Sequence, residues 1–186
     1  MGQKLSERTD EEIARLVQSG DINLFGKLIE RYEEKIKRYG KKFLAGSEDI
    51  EDIVQDVFIK AYENIQSFDT KRKFSSWLYR IAHNEFVNAL KKHKKRPLSF
   101  FELDIILPHL SAEEINQKID NQEILKNLDA YLDKLSLKYR EPIILYYIEE
   151  LSYKEIADVL HIPISTVGIR LKRAKEKIKN KIHEQK

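Results

Sequence analysis

Residues 152–171 read Ser152-Tyr-Lys-Glu-Ile-Ala-Asp-Val-Leu-His-Ile-Pro-Ile-Ser-Thr-Val-Gly-Ile-Arg-Leu171. Ser152 and Glu155 have capping-box spacing and open a first helix. Ile156, Ala157 and Leu160 fall on one side of it, and the small side chain at Ala157 lets a second helix cross close by. His161-Ile162-Pro163 makes the turn, after which Val167 and Leu171 are spaced to pack back on the first helix. A helix-turn-helix needs this spacing, and its second helix is the one that enters the major groove of duplex DNA. The exposed positions of that helix are predicted to be Ser165, Thr166, Ile169, Arg170 and Arg173. Arginine can read a guanine edge through two hydrogen bonds, and serine or threonine can reach a base or a phosphate. Lys172, Lys175, Lys177 and Lys179 continue the helix as a phosphate-facing or solvated tail. His161 occupies a left-handed position that usually takes glycine and that histidine tolerates.

Working outward, nearly every segment has apolar residues at spacings of three and four, so the fold class is all-α. Towards the C-terminus, Pro142 is expected to open the helix before the motif, and Leu125, Leu128, Leu132 and Leu135 define one more. At the other end, Thr9 and Glu12 form a second capping box. A helical region from about 21 to 44 carries Leu24, Phe25, Leu28, Ile29, Tyr32 and Ile36 on one side. Gly46-Ser47 breaks it, and Ser47 is placed to cap the next helix. In that helix Ile50, Ile53, Val54, Val57, Phe58, Ala61 and Ile65 form one stripe, leaving Glu51, Asp52, Gln55, Asp56 and Lys60 outside it. Residues 66–73 read as a polar loop. A further helix from Phe74 to His93 buries Phe74, Trp77, Leu78, Ile81, Ala82, Phe86, Ala89 and Leu90. These elements predict two small helical domains, at about 1–96 and 120–186, joined by a flexible linker at 97–119.

The 186 residues suffice for two small cores, and six Gly and four Pro leave little room for a turn-rich β architecture. The absence of Cys removes disulfides, thiolate catalysis and Cys-ligated zinc, and is compatible with a reducing cytoplasm. Met1 to Asp10 is polar, unlike a signal peptide, and no apolar run approaches the ~20 residues that span a bilayer. The expected location is the cytoplasm. Charge is uneven: residues 1–60 carry 11 basic and 13 acidic side chains, and residues 61–97 carry 9 and 3. Residues 98–163 then carry 6 and 13, and residues 164–186 carry 8 and 2. Two basic blocks, each at a strongly patterned helix, suit a polyphosphate partner.

On the Phe74–His93 helix, Ser76, Arg80, His83, Asn84, Asn88 and Lys91 make a polar face, and the loop before it holds Phe68, Lys71, Arg72 and Lys73. Basic side chains with amides and aromatics suit unstacked single-stranded bases and backbone phosphate. Asp52, Gln55 and Asp56 could dock on a basic protein partner. Catalysis finds no support. The five His are far apart, the acidic cluster at 48–56 lacks the glycine of a calcium loop, and no Gly-rich phosphate cradle or nucleophile motif occurs. No cofactor, metal or small-molecule substrate is expected.

Taken in order, several stretches resemble the extracytoplasmic-function (ECF) sigma factors of bacterial RNA polymerase. They are Glu48-Asp-Ile-Glu-Asp-Ile-Val-Gln-Asp-Val-Phe-Ile-Lys-Ala-Tyr62, Phe74-Ser-Ser-Trp-Leu-Tyr-Arg-Ile-Ala-His-Asn84, Tyr139-Arg-Glu141, Leu151-Ser-Tyr-Lys-Glu-Ile-Ala157 and Ile162-Pro-Ile-Ser-Thr-Val-Gly-Ile-Arg-Leu-Lys-Arg-Ala174. The resemblance implies a sigma region 2-like bundle followed by a region 4-like helix-turn-helix domain. Asp52, Gln55 and Asp56 would then dock on the β′ clamp helices of core RNA polymerase, and the β flap would be a further contact. Phe68, Lys71, Arg72, Lys73, Arg80, Asn84, Asn88 and Lys91 would hold the opened strand of the minus-ten element. Ser165, Thr166, Ile169, Arg170 and Arg173 would read the minus-thirty-five duplex, and an anti-sigma factor would be a regulatory partner. The chain departs from the usual family pattern at Ser136, His161, Ser165 and Gly168-Ile169, which bears on the promoter contacts. The alternative is a conventional helix-turn-helix regulator that acts without core polymerase, as a dimer on a palindrome.

Overall fold

The computed structural model describes residues 8–43, 50–93, 131–132 and 135–183. The chain divides into two compact units, Met1–Pro97 and Leu98–Lys186. The expected Ser47 cap, the linker at 97–119 and the positions of Leu125 and Leu128 lie outside the described residues.

The first unit holds α1 (Asp10–Gln18), α2 (Phe25–Phe43), α3 (Ile50–Glu63) and α4 (Phe74–His93). The predicted capping box opens α1. Thr9 N donates to Glu12 Oε2 at 2.9 Å, and Glu12 N donates to Thr9 Oγ1 at 3.2 Å. Asp10, Glu11 and Glu12 add negative charge where the helix dipole is positive. Gly20, at φ 107°, reverses the chain after α1 in a region that side chains rarely adopt. A short 3-10 turn, Ile22–Leu24, then precedes α2, so that helix begins four residues later than its apolar pattern suggested.

Each helix buries one stripe: Ile13, Ala14 and Val17 from α1, Leu28, Tyr32, Ile36 and Tyr39 from α2, Val54, Val57, Phe58 and Ala61 from α3, and Phe74, Leu78, Tyr79, Ala82 and Phe86 from α4. Gly40 lets α2 approach α4. A Cβ there would meet the Phe86 ring, with Cε2 at 3.3 Å and Cζ and Cε1 closer still. Phe86 is fully buried and stands edge-on to Tyr39 at 5.8 Å, so the ring has little room to retreat. Asp10 ties α1 to α2, accepting from Arg31 Nη1 at 2.6 Å and from the Tyr32 hydroxyl at 2.5 Å. Burial and the Asp10 carboxylate push the Tyr32 hydroxyl well above the usual tyrosine range.

In the second unit, Tyr131 and Leu132 are helical and buried, and α5 (Leu137–Tyr147), α6 (Tyr153–Leu160) and α7 (Ile164–His183) follow. One expectation is corrected here: Pro142 lies inside α5 rather than opening it. The helix begins after Ser136, and Pro142 falls in its buried stretch Glu141–Leu145, where burial of the ring offsets part of the cost of the missing N–H. Leu135 is buried but lies in a turn, its N–H donating to Leu132 O at 3.0 Å. Glu150 takes a left-handed conformation at φ 53° beyond the end of α5, where Leu151 N closes on Leu145 O at 2.9 Å. Tyr146 of α5 stands edge-on to Tyr153 of α6 at 5.3 Å. Desolvation raises the Tyr153 hydroxyl to about 12.

Candidate nucleic-acid interface

Between α3 and α4 the chain makes a 3-10 turn, Ile65–Ser67, and then the basic loop. Phe68 does not face solvent with the rest of that loop. It is 4% exposed, its ring 5.5 Å from Phe74 and 5.1 Å from Trp77. The ring therefore anchors the loop from below. Lys71, Arg72 and Lys73 are exposed above it. The loop is shaped by Asp69, which accepts from Lys71 N through Oδ1 at 3.0 Å and from Arg72 N through its carbonyl at 2.9 Å. On α4, Asn84, Asn88 and Lys91 are exposed and Arg80 is half-buried, so these four follow one another along the helix. Ser76, expected on the same polar face, is buried and donates its hydroxyl to Lys73 O at 3.0 Å. It is a structural member of the first turn.

The other expected surface of this unit lies on α3. Asp52, Gln55 and Asp56 are all exposed, and Ile59 (55% exposed) and Tyr62 (42%) continue the same face towards the helix end. Spacing alone missed these two, although Ile59 lies outside the apolar stripe and that was the available signal. Ion pairs frame the helix: Lys37 with Glu51, and Lys60 with Glu85 at 2.6 Å. The Lys37 ammonium holds the Glu51 carboxyl below the usual carboxylate range.

The helix-turn-helix forms as its spacing predicts. Glu155 Oε2 accepts from Ser152 N at 2.7 Å and Glu155 N donates to Ser152 Oγ at 3.3 Å, so the capping box closes in both directions. His161 adopts the left-handed conformation, φ 54° and ψ 42°, and Ile162 N closes on Ala157 O at 3.2 Å. Val167 and Leu171 are buried. Ser165 is exposed, and Thr166, Ile169, Arg170 and Arg173 are half-buried.

Ile164, at the first position of α7, is 51% exposed and was not among the expected reading residues. Its sequence neighbour Pro163 suggested a turn, which concealed that an apolar side chain leads the recognition helix. Lys175 is corrected in the other direction: it is 7% exposed, not part of a solvated tail. Desolvation lowers its ammonium below the ordinary lysine value. Lys177 is exposed but lies over the Tyr139 ring, its Nζ 5.6 Å from the centroid. Among the described residues, no helix is long and apolar enough to cross a membrane.

The two units match two families of known proteins in the same order as the motifs. Residues 28–96 match Sigma-70 region 2, and residues 125–178 match Sigma-70 region 4. Over 177 residues the chain is 33% identical to the ECF RNA polymerase sigma factor SigW of Bacillus subtilis (strain 168), covering 90% of this chain and 94% of that protein. Among solved structures, CnrH in complex with the cytosolic domain of CnrY superposes with a TM-score of 0.67 at 25% identity, covering 95% of this chain and 99% of that one. The sigma factor RpoE from Bartonella quintana, in complex with the anti-sigma factor NepR, shares the fold at a TM-score of 0.62 and 23% identity, over 84% of this chain and 94% of its own. With a region 2 unit, a region 4 helix-turn-helix and a curated relative matched along nearly its whole length, the chain belongs to the ECF sigma factors of bacterial RNA polymerase.

Proposed function

We propose that this sigma factor divides its work among three surfaces. The α3 face, with Asp52, Gln55, Asp56 and the adjoining Ile59, docks on the β′ clamp helices of core polymerase. The loop residues Lys71, Arg72 and Lys73, with Arg80, Asn84, Asn88 and Lys91 of α4, hold the strand-separated minus-ten element, and Phe68 supports them from the core. The start of α7, with Ser165, Thr166, Ile169, Arg170 and Arg173, reads the minus-thirty-five element as duplex, and exposed Ile164 is suited to a thymine methyl group. The second unit also meets the β flap. An anti-sigma factor restrains the protein in the cytoplasm, and chemistry belongs to the polymerase.

One observation carries this reading. Neighbouring helices of a single small unit present chemically opposite surfaces, acidic and apolar on α3, basic and amide-rich on α4 and its loop. A protein partner and a polyanion can thus be held at once. Trapping unstacked bases on the second surface offsets part of the cost of unpairing them. Run-off transcription with core polymerase and genomic promoter fragments tests the proposal. Defined start sites are expected only when the chain is present, and their absence would overturn it.

A further inference from the structure

We infer that Gln18, in a helix that carries none of the contacts proposed above, is a positioning residue for the minus-ten loop; this rests on the reading of residues 68–73 as part of that site. Gln18 is half-buried, and its side-chain amide donates to Ile65 O at 2.7 Å and to Phe68 O at 2.8 Å. These are the first carbonyl of the 3-10 turn and the carbonyl just beyond it, so one amide group clamps the base of the loop. The bond is returned: Gln66 Nε2 donates to Gln18 O at 3.2 Å. Two more residues of α1 hold the loop further along. Arg15 Nη2 donates to Thr70 Oγ1 at 3.4 Å, and Glu11 Oε1 accepts from Phe74 N at 2.8 Å.

Glu11, Arg15 and Gln18 are spaced four and three apart and so share one face of α1. They meet the loop at its end, middle and beginning. The adjoining face of α1 is fixed by buried Ile13, Ala14 and Val17, and its start by the Asp10 contacts to Arg31 and Tyr32. Helix α1 is therefore a splint along the loop that presents Lys71, Arg72 and Lys73. A loop held in place before DNA arrives avoids the cost of being ordered on binding. Base selection needs side chains fixed to within a fraction of an ångström, whereas phosphate attraction tolerates a looser loop. Loss of the clamp should therefore cost selectivity more than general affinity.

The test uses holoenzyme assembled from the full chain and core polymerase. It is offered a single-stranded oligonucleotide with a randomised segment of about six nucleotides. The best sequence selected by the wild type is compared in affinity with the unselected pool. Gln18→Met keeps length and shape without a donor. It is expected to lower the selected-to-pool ratio about tenfold, with assembly on core unchanged. Ile36→Val, a core truncation in α2, which carries none of the proposed contacts, is measured equally far below its own melting temperature and should keep the ratio. Retention of the wild-type ratio by Gln18→Met, or an equal loss in Ile36→Val, overturns the positioning role and leaves the minus-ten site standing. A wild-type holoenzyme that selects no sequence instead sinks the reading of the loop itself. If Gln18→Met does not fold, Gln18→Asn, a methylene too short to span both carbonyls, carries the same expectation.

Discussion

Replacing Phe68 by leucine separates two roles for an aromatic residue in the loop proposed to hold the opened strand. A ring that stacks on DNA bases would be lost to binding and not to stability. The structure places it otherwise, 4% exposed and in contact with Phe74 and Trp77. Leucine refills most of the site, so the lost volume costs about 1 kcal/mol. The two aromatic contacts add about 1 kcal/mol more. A total near 2 kcal/mol should lower the urea midpoint of this unit by about 1–2 M, given the slopes of small domains. Trp77 is the sole tryptophan of the chain and lies in the first unit, so its fluorescence reports the unfolding of that unit. Under folded conditions, minus-ten binding should fall only modestly, since Lys71, Arg72 and Lys73 remain. An unmoved midpoint together with a large loss of single-strand binding would refute the argument and return the ring to the DNA surface.

Reversing charge in Asp52→Lys/Asp56→Lys should abolish binding to core polymerase while the helical circular dichroism signal persists, because both side chains are exposed; full affinity in a pull-down would reject the α3 face. Replacing Arg170 or Arg173 by alanine should cost about 1–3 kcal/mol at a minus-thirty-five duplex if that side chain reads a base, and unchanged promoter selectivity would assign the reading elsewhere. Ile164→Ala should make binding insensitive to replacing thymine by uracil at the base it meets; undiminished sensitivity would remove Ile164 from the reading surface. Lys175→Met should stabilise the second unit at neutral pH. The folded protein holds this ammonium less tightly than the unfolded chain, so between the lowered value and the ordinary 10.5 the unfolded state binds more protons and stability rises with pH. The gain from methionine should therefore narrow as pH climbs through that interval, and thermal denaturation at several pH values checks it.

Local signals in the sequence carried far. Both capping boxes, the left-handed turn at His161 and the apolar stripe of α3 depend on residues within a few positions of one another, where spacing determines geometry. The exposure of Asp52, Gln55 and Asp56 on α3 and of Asn84, Asn88 and Lys91 on α4 followed from the same rule, whereas Ser76 lies outside the stripe and is buried. What escaped notice depends on partners distant in the chain. Phe68 sits in a polar loop by neighbourhood and in the core by virtue of Phe74 and Trp77. Lys175 reads as one lysine among several, and only its burial in the fold sets it apart. Pro142 looks like a helix opener, but Ser136 starts α5 and tertiary packing carries the proline inside. The role of Gly40 is set by Phe86, which lies 46 residues further along the chain.

The bond from Phe74 N to Glu11 spans 63 positions of sequence, yet it supplies the kind of cap that most helices obtain from a residue next door. The first turn of α4 is thus completed only once α1 has docked, and the two should melt and re-form as one cooperative unit. Removing the first dozen residues would cut away nothing proposed to touch DNA or polymerase. It would still expose the Phe74 amide to rapid hydrogen exchange and let α4 fray at its first turn, beside the loop proposed to hold the opened strand.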